Sequence, residues 1–183
     1  MNTHKRSGSQ VLPAALIAAG LAATWLVPQG VAAMVGTTVE TTGPNDTIGL
    51  AAGETTITLQ APEGWEFPLS ASPTSATLTQ GEKTLQFDVV TGVSDAAAAS
   101  ERKIAALQRD GIAAAMNGTQ ATGGAEFTGE HCQAVNAKEG QHGPCALVLS
   151  QDTLVTVVSL GAADQPAVDI QPLLDSLQIQ EAK

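Results

Sequence analysis

Tyrosine is absent from this 183-residue chain, and all aromatic residues together reach only 3%. Charged residues are scarce at 14%, against about 25% in an average soluble domain. Basic residues are the scarcest of these: eight Lys and Arg stand against 18 Asp and Glu, for a formal charge of -10. A protein that grips phosphates needs a basic face, so this balance excludes a nucleic-acid binder. Few rings also mean few stacking platforms. Beyond the first 33 residues the only large rings are Trp65, Phe67, Phe87 and Phe127, which disfavours sugar- or base-stacking sites. There are only two cysteines, Cys132 and Cys145. The length fits one domain with a short extension and argues against a multi-domain enzyme.

What is present begins at the N-terminus. Met1 to Gln10 is polar and carries Lys5 and Arg6, and Val11 to Val27 then runs without a charge. Pro28 breaks the run, and Val31 and Ala33 stand at the -3 and -1 positions of a small-residue cleavage site. This is the pattern of a signal peptide cut after Ala33. Residues 11–35 are also long enough to span a bilayer as an uncleaved signal anchor, with Lys5 and Arg6 on the cytoplasmic side. Both readings place the rest of the chain outside the cytoplasm; the remaining alternative is a buried N-terminal core helix of a cytosolic protein. No Cys adjoins the cleavage region, which argues against lipoprotein processing. The leader holds two of the eight basic residues and none of the acids, so the remainder carries a formal charge of -12. The mean hydropathy of the whole chain, +0.09, is therefore partly the leader's.

An even cysteine pair outside the cytoplasm reads first as a disulfide, Cys132–Cys145, and next as two free thiols. His131 and His142 stand near the two cysteines and raise a zinc site as an alternative. An adjacent His-Cys is an awkward chelate, and no paired Cys-x2-Cys is present. No metal and no cofactor is expected.

The exported part divides into a linker at 34–47, rich in Thr and broken by Gly43-Pro44, and one domain at 48–180. Thr47 to Ala52 reads as a short edge strand. Ile57, Leu59 and Ala61 alternate with polar residues, as do Leu85, Phe87 and Val89, which predicts two half-buried strands. Between them, Pro62 to Pro68 reads as a turn carrying Trp65 and Phe67, and Ala76 to Thr79 as another strand. Ser94 or Asp95 is suited to cap a helix over Ala96 to Arg109, with Ala97, Ile104 and Leu107 on its apolar face and Gly111 at its end. Ala113 to Gly124 has no clear period and reads as a mobile loop. It holds the glycosylation-type triplet Asn117-Gly118-Thr119, and Asn45-Asp46-Thr47 is another. Such three-residue matches arise by chance. Glu126 to Asn136 reads as a strand and Lys138 to Pro144 as a turn. Cys145 to Ser150 and Thr153 to Leu160 are apolar on both sides, as in central strands. The last three strands read as a meander whose first hairpin the disulfide clamps. Asp169 is placed to cap a closing helix over Ile170 to Leu177. The fold class is α+β, an antiparallel sheet packed by two helices and preceded by the apolar export or anchor helix.

Leu59-Gln60-Ala61-Pro62-Glu63-Gly64-Trp65, with a strand ending in Pro-x-Gly-Trp, and the closing Leu173-Leu174-Asp175-Ser176-Leu177 resemble the PsbP-like fold. Bacterial envelope proteins of LpqN type are the most similar. The resemblance covers roughly residues 48 to 180, and its motifs are short. The chain departs from the LpqN type in lacking a lipidated Cys. The resemblance implies a non-catalytic binding or assembly domain and transfers no functional residue.

Nothing in the sequence identifies a reaction. Ser150 and Ser159 sit inside strand patterns with no nucleophile elbow. Glu63, Glu66, Glu126 and Glu130 qualify for paired-carboxylate chemistry by type alone. No phosphate loop, dinucleotide fingerprint, EF-hand loop or His-Glu-x-x-His is present. Trp65 has two readings. It plugs the core beside Phe67, or it lines an apolar groove beside the 113–124 loop, in which case Trp65, Phe67 and Asn117 are the contact residues. The leading expectation is an exported, non-catalytic envelope protein that binds an envelope partner or a small apolar or lipidic ligand. A small hydrolase using acidic residues and an accessory subunit of a membrane complex are the alternatives.

Overall fold

The computed structural model describes residues 39–68, 72–124 and 126–181. The leader and most of the 34–47 linker lie outside the described residues, and no described helix is long and apolar enough to cross a membrane.

Among the described residues, eleven strands and two helices run in the order β1 (Val39–Thr41), β2 (Thr47–Ala52), β3 (Thr55–Gln60), β4 (Glu66–Pro68), β5 (Ser75–Gln80), β6 (Lys83–Val90), α1 (Ala96–Arg109), β7 (Ile112–Gly123), β8 (Phe127–Asn136), β9 (Gln141–Ser150), β10 (Thr153–Leu160), α2 (Gln171–Asp175) and β11 (Gln178–Glu181). The α+β class holds, but there are two antiparallel sheets in place of one. Eight strands pair in the order β1-β4-β5-β6-β10-β9-β8-β7, and three in the order β11-β3-β2.

The large sheet is covered on both faces. Leu85 and Phe87 of β6 and Val155 and Val157 of β10 meet Ile48, Leu50, Ile57 and Leu59 of the small sheet in the main core. Leu173, Leu174 and Leu177 close that core at one end. On the other face Leu147, Leu154, Val158 and Leu160 pack under α1, which contributes Ala99 and Leu107. β10 is buried along its whole length because both of its faces and both of its edges are covered. This is why its sequence shows no alternation. The chain leaves β6 in mid-sheet and re-enters at the far edge, β7. α1 is the crossover, and it lies over the β8–β10 meander.

Asp95 caps α1 as expected, its carboxylate accepting from Ala98 N at 3.0 Å. Gly111 follows the C-cap with φ +88°, a left-handed conformation that glycine adopts without strain. Asp169 accepts from Gln171 N at 3.0 Å, but the closing helix is shorter than expected. It stops at Asp175, and the chain turns into β11 to pair with β3.

Three expected irregular segments are strands. Part of the linker forms β1, an edge strand paired with β4 in the expected Trp65 turn. Gln141 to Pro144 belongs to β9, and the turn is confined to Ala137–Gly140. Pro144 has no N–H to give the β10 side, where the ladder is interrupted between Cys145↔Val158 and the His142–Gly161 bridge. The expected loop at 113–124 is β7, paired to β8 over nearly its whole length.

Candidate binding clefts beside the crossover helix

The first turns of α1 are alanines, Ala96 to Ala99. Short side chains fill little of the space between helix and sheet, and clefts flank the helix on both sides. The larger, 620 Å³, opens toward β7 and β8. Leu147 and Leu154 form its buried floor. The half-buried Ile104, Met116 and Leu149 form its walls. Gly129 lies in the same floor. A Cβ at Gly129 would run into the backbone carbonyl of Leu147 on β9, so only glycine fits there. Beyond the cleft the described surface exposes few large apolar residues, namely Val39, Val90 and Val135, each on a different strand.

The rim is shaped by a break in β7. The β7–β8 register shifts between Met116 and Gln120, and both residues line the cleft. Asn117, Gly118 and Thr119 leave the ladder, with Gly118 at φ +74° and Asn117 Oδ1 accepting from Thr119 N at 2.9 Å. Such bulges bend an edge strand and re-aim its side chains. Asn117 is therefore exposed next to the rim.

The other two expected contact residues are elsewhere. Trp65 is 2% exposed and belongs to the main core. Thr42 holds it there. Trp65 N donates to Thr42 Oγ1 at 2.9 Å, and Thr42 Oγ1 donates to Pro62 O at 2.5 Å. Phe67 is half-buried on β4 and lines a separate hollow with Thr42 and Ile48. The structure thus does not bring Trp65 and Asn117 together, since they lie toward opposite edges of the eight-stranded sheet. What the sequence reading missed is the group Ile104, Met116, Leu147, Leu149 and Leu154. Their apolar character was legible, but their shared cleft was not.

The floor is braced covalently. Cys132 and Cys145 are directly opposed on β8 and β9, with Cα atoms 4.8 Å apart, and are joined as a disulfide. The pairing uses both thiols, so the alternative zinc site with His131 and His142 does not form. Among the described residues no group of three or more His, Cys, Asp or Glu is placed to hold a metal ion. The candidate carboxylates fall in two groups, Glu63 with Glu66 and Glu126 with Glu130. Glu66 on β4 and Glu130 on β8 are five strand spacings apart, about 24 Å, against about 5–9.5 Å in a glycosidase pair.

The smaller cleft, 410 Å³, lies on the β5–β6 flank of α1 and is polar. Lys103 Nζ meets Asp88 Oδ1 there at 2.7 Å. Comparison of the chain with protein-family models, with curated proteins and with solved structures returned no match.

Proposed function

We propose that this is an exported, non-catalytic binding or assembly protein of the cell envelope, and that the cleft between α1 and β7–β9 takes an apolar or lipidic ligand. The observation that carries the reading is the cleft itself: 620 Å³ lined by Ile104, Met116, Leu147, Leu149 and Leu154. Its size falls in the range of small-molecule sites, which are concave and mostly apolar. Glu101, Gln120 and Glu130 at its edge supply a polar rim. The disulfide supports a location outside the cytoplasm, as does the leader pattern. The intact mass of the purified protein separates the two readings of the leader, because a chain starting at Met34 has been cleaved. The resemblance to LpqN-type envelope proteins belongs to this same proposal.

The test is a titration with N-phenyl-1-naphthylamine, a neutral probe that fluoresces when it leaves water. Wild type is expected to bind it saturably. Leu149→Lys places a charge in the wall at a half-exposed position and is expected to weaken binding at least tenfold, with little change in thermal midpoint. Equal binding by the two proteins would overturn the assignment.

A further inference from the structure

The polar cleft contains a group that the fold leaves unused. Thr156 lies in mid-β10 and is 1% exposed. Its Oγ1 is buried and has no hydrogen-bond partner among the described residues. A buried hydroxyl without a partner costs free energy, and native folds rarely keep one without a use. Thr156 lines the polar cleft. It is the direct cross-strand partner of Asp88, so the two side chains stand side by side on the face that α1 covers.

The charges around it have one predominant sign. Asp88, Asp110 and Glu139 line the cleft against a single cation, Lys103. Lys103 is itself an ammonium group seated on the Asp88 carboxylate, with side-chain exposures of 15% and 32%. Asp110 and Glu139 have no ion-pair partner among the described residues. The lining thus already holds one ammonium and includes two further acidic residues and a residue with a buried, unpartnered hydroxyl.

We infer that this cleft is a second binding site, for a small primary alkylammonium ion bearing another polar group. The ammonium donates to Asp110 and Glu139 at the mouth, and the second polar group meets the Thr156 hydroxyl in the floor. An anion is excluded by the carboxylates. A neutral diol forfeits the charge-assisted bonds, which are the stronger ones. The site lies on the opposite flank of α1 from the apolar cleft, so either assignment can fail alone.

Equilibrium dialysis of the full-length protein tests it, with 1,4-diaminobutane as probe and 1,4-butanediol and succinate as neutral and anionic controls. Saturable uptake of the diamine alone is expected. Asp110→Asn with Glu139→Gln is expected to weaken it about tenfold. Thr156→Val is the discriminating variant. It removes an unsatisfied buried hydroxyl, so it is expected to raise the thermal midpoint and yet weaken diamine binding about threefold or more. A charge-matched pair outside the cleft, Glu54→Gln with Glu63→Gln, controls for the acidity of the whole protein. The inference is overturned by absence of saturable uptake, by equal uptake of the diol, by unchanged affinity in Thr156→Val, or by an equal loss in the remote pair.

Discussion

Thr42 shows how much one short polar side chain can organise. It sits in a stretch that reads as a linker, yet it is buried and its hydroxyl both accepts from Trp65 N and donates to Pro62 O. Its backbone adds two more bonds to the same turn, donating to Trp65 O and accepting from Gly64 N, each at 2.8 Å. The result fixes Trp65 in the core and allows β1 to pair with β4. Thr42→Val keeps the shape but leaves the buried Trp65 N–H without an acceptor. The expected loss is about 2 kcal/mol, read as a lower urea midpoint with an unchanged slope. A loss near zero would mean that water reaches the Trp65 amide. Gly129 acts at the same scale by absence: its missing side chain lets β8 pass close to β9 under the apolar cleft.

Among the elements, α1 decides where the two clefts open. Its Asp95 cap and its Leu107 anchor hold it on the sheet, while its alanines leave the space beside it open. Asp95→Ala removes the bond to Ala98 N and is expected to cost about 1 kcal/mol. Hydrogen exchange is expected to show the loss concentrated in the first turn of the helix. The helix was legible because its cap, its strong helix formers and Gly111 all agree. β6 and β3 were legible because Leu85-Phe87-Val89 and Ile57-Leu59 alternate with polar residues. β7 was not. Its Ala, Gly and Thr residues carry almost no hydropathy contrast, and its bulge at Met116/Gln120 breaks what period remains. It is a strand because β8 is beside it, a pairing that local sequence does not encode. The cleft was hidden for a related reason. Leu147 and Leu149 read as core residues of one strand. Only the placement of α1 makes Leu147 a floor and Leu149 an open wall.

At the scale of the whole molecule, one sheet is sandwiched between a small sheet that completes the main core and a helix that covers the other face incompletely. The disulfide joins adjacent strands beneath that incompletely covered face, where Cys132 and Cys145 are both fully buried. It joins cysteines separated by 13 positions in the sequence, and its loss is expected to cost about 3 kcal/mol through loop-closure entropy. Cys132→Ala with Cys145→Ala should therefore melt well below wild type, and added reductant should leave the double variant unaffected. The acidic surface of the domain favours solubility and repels anionic lipid surfaces.

The proposed ligand in the cleft beside α1 is tested most directly by non-denaturing mass spectrometry of the protein purified without detergent from the cells that make it. Wild type is expected to carry a 1:1 adduct with an apolar small molecule that is lost from Leu149→Lys. A bare chain for both proteins, or the same adduct on both, would contradict it.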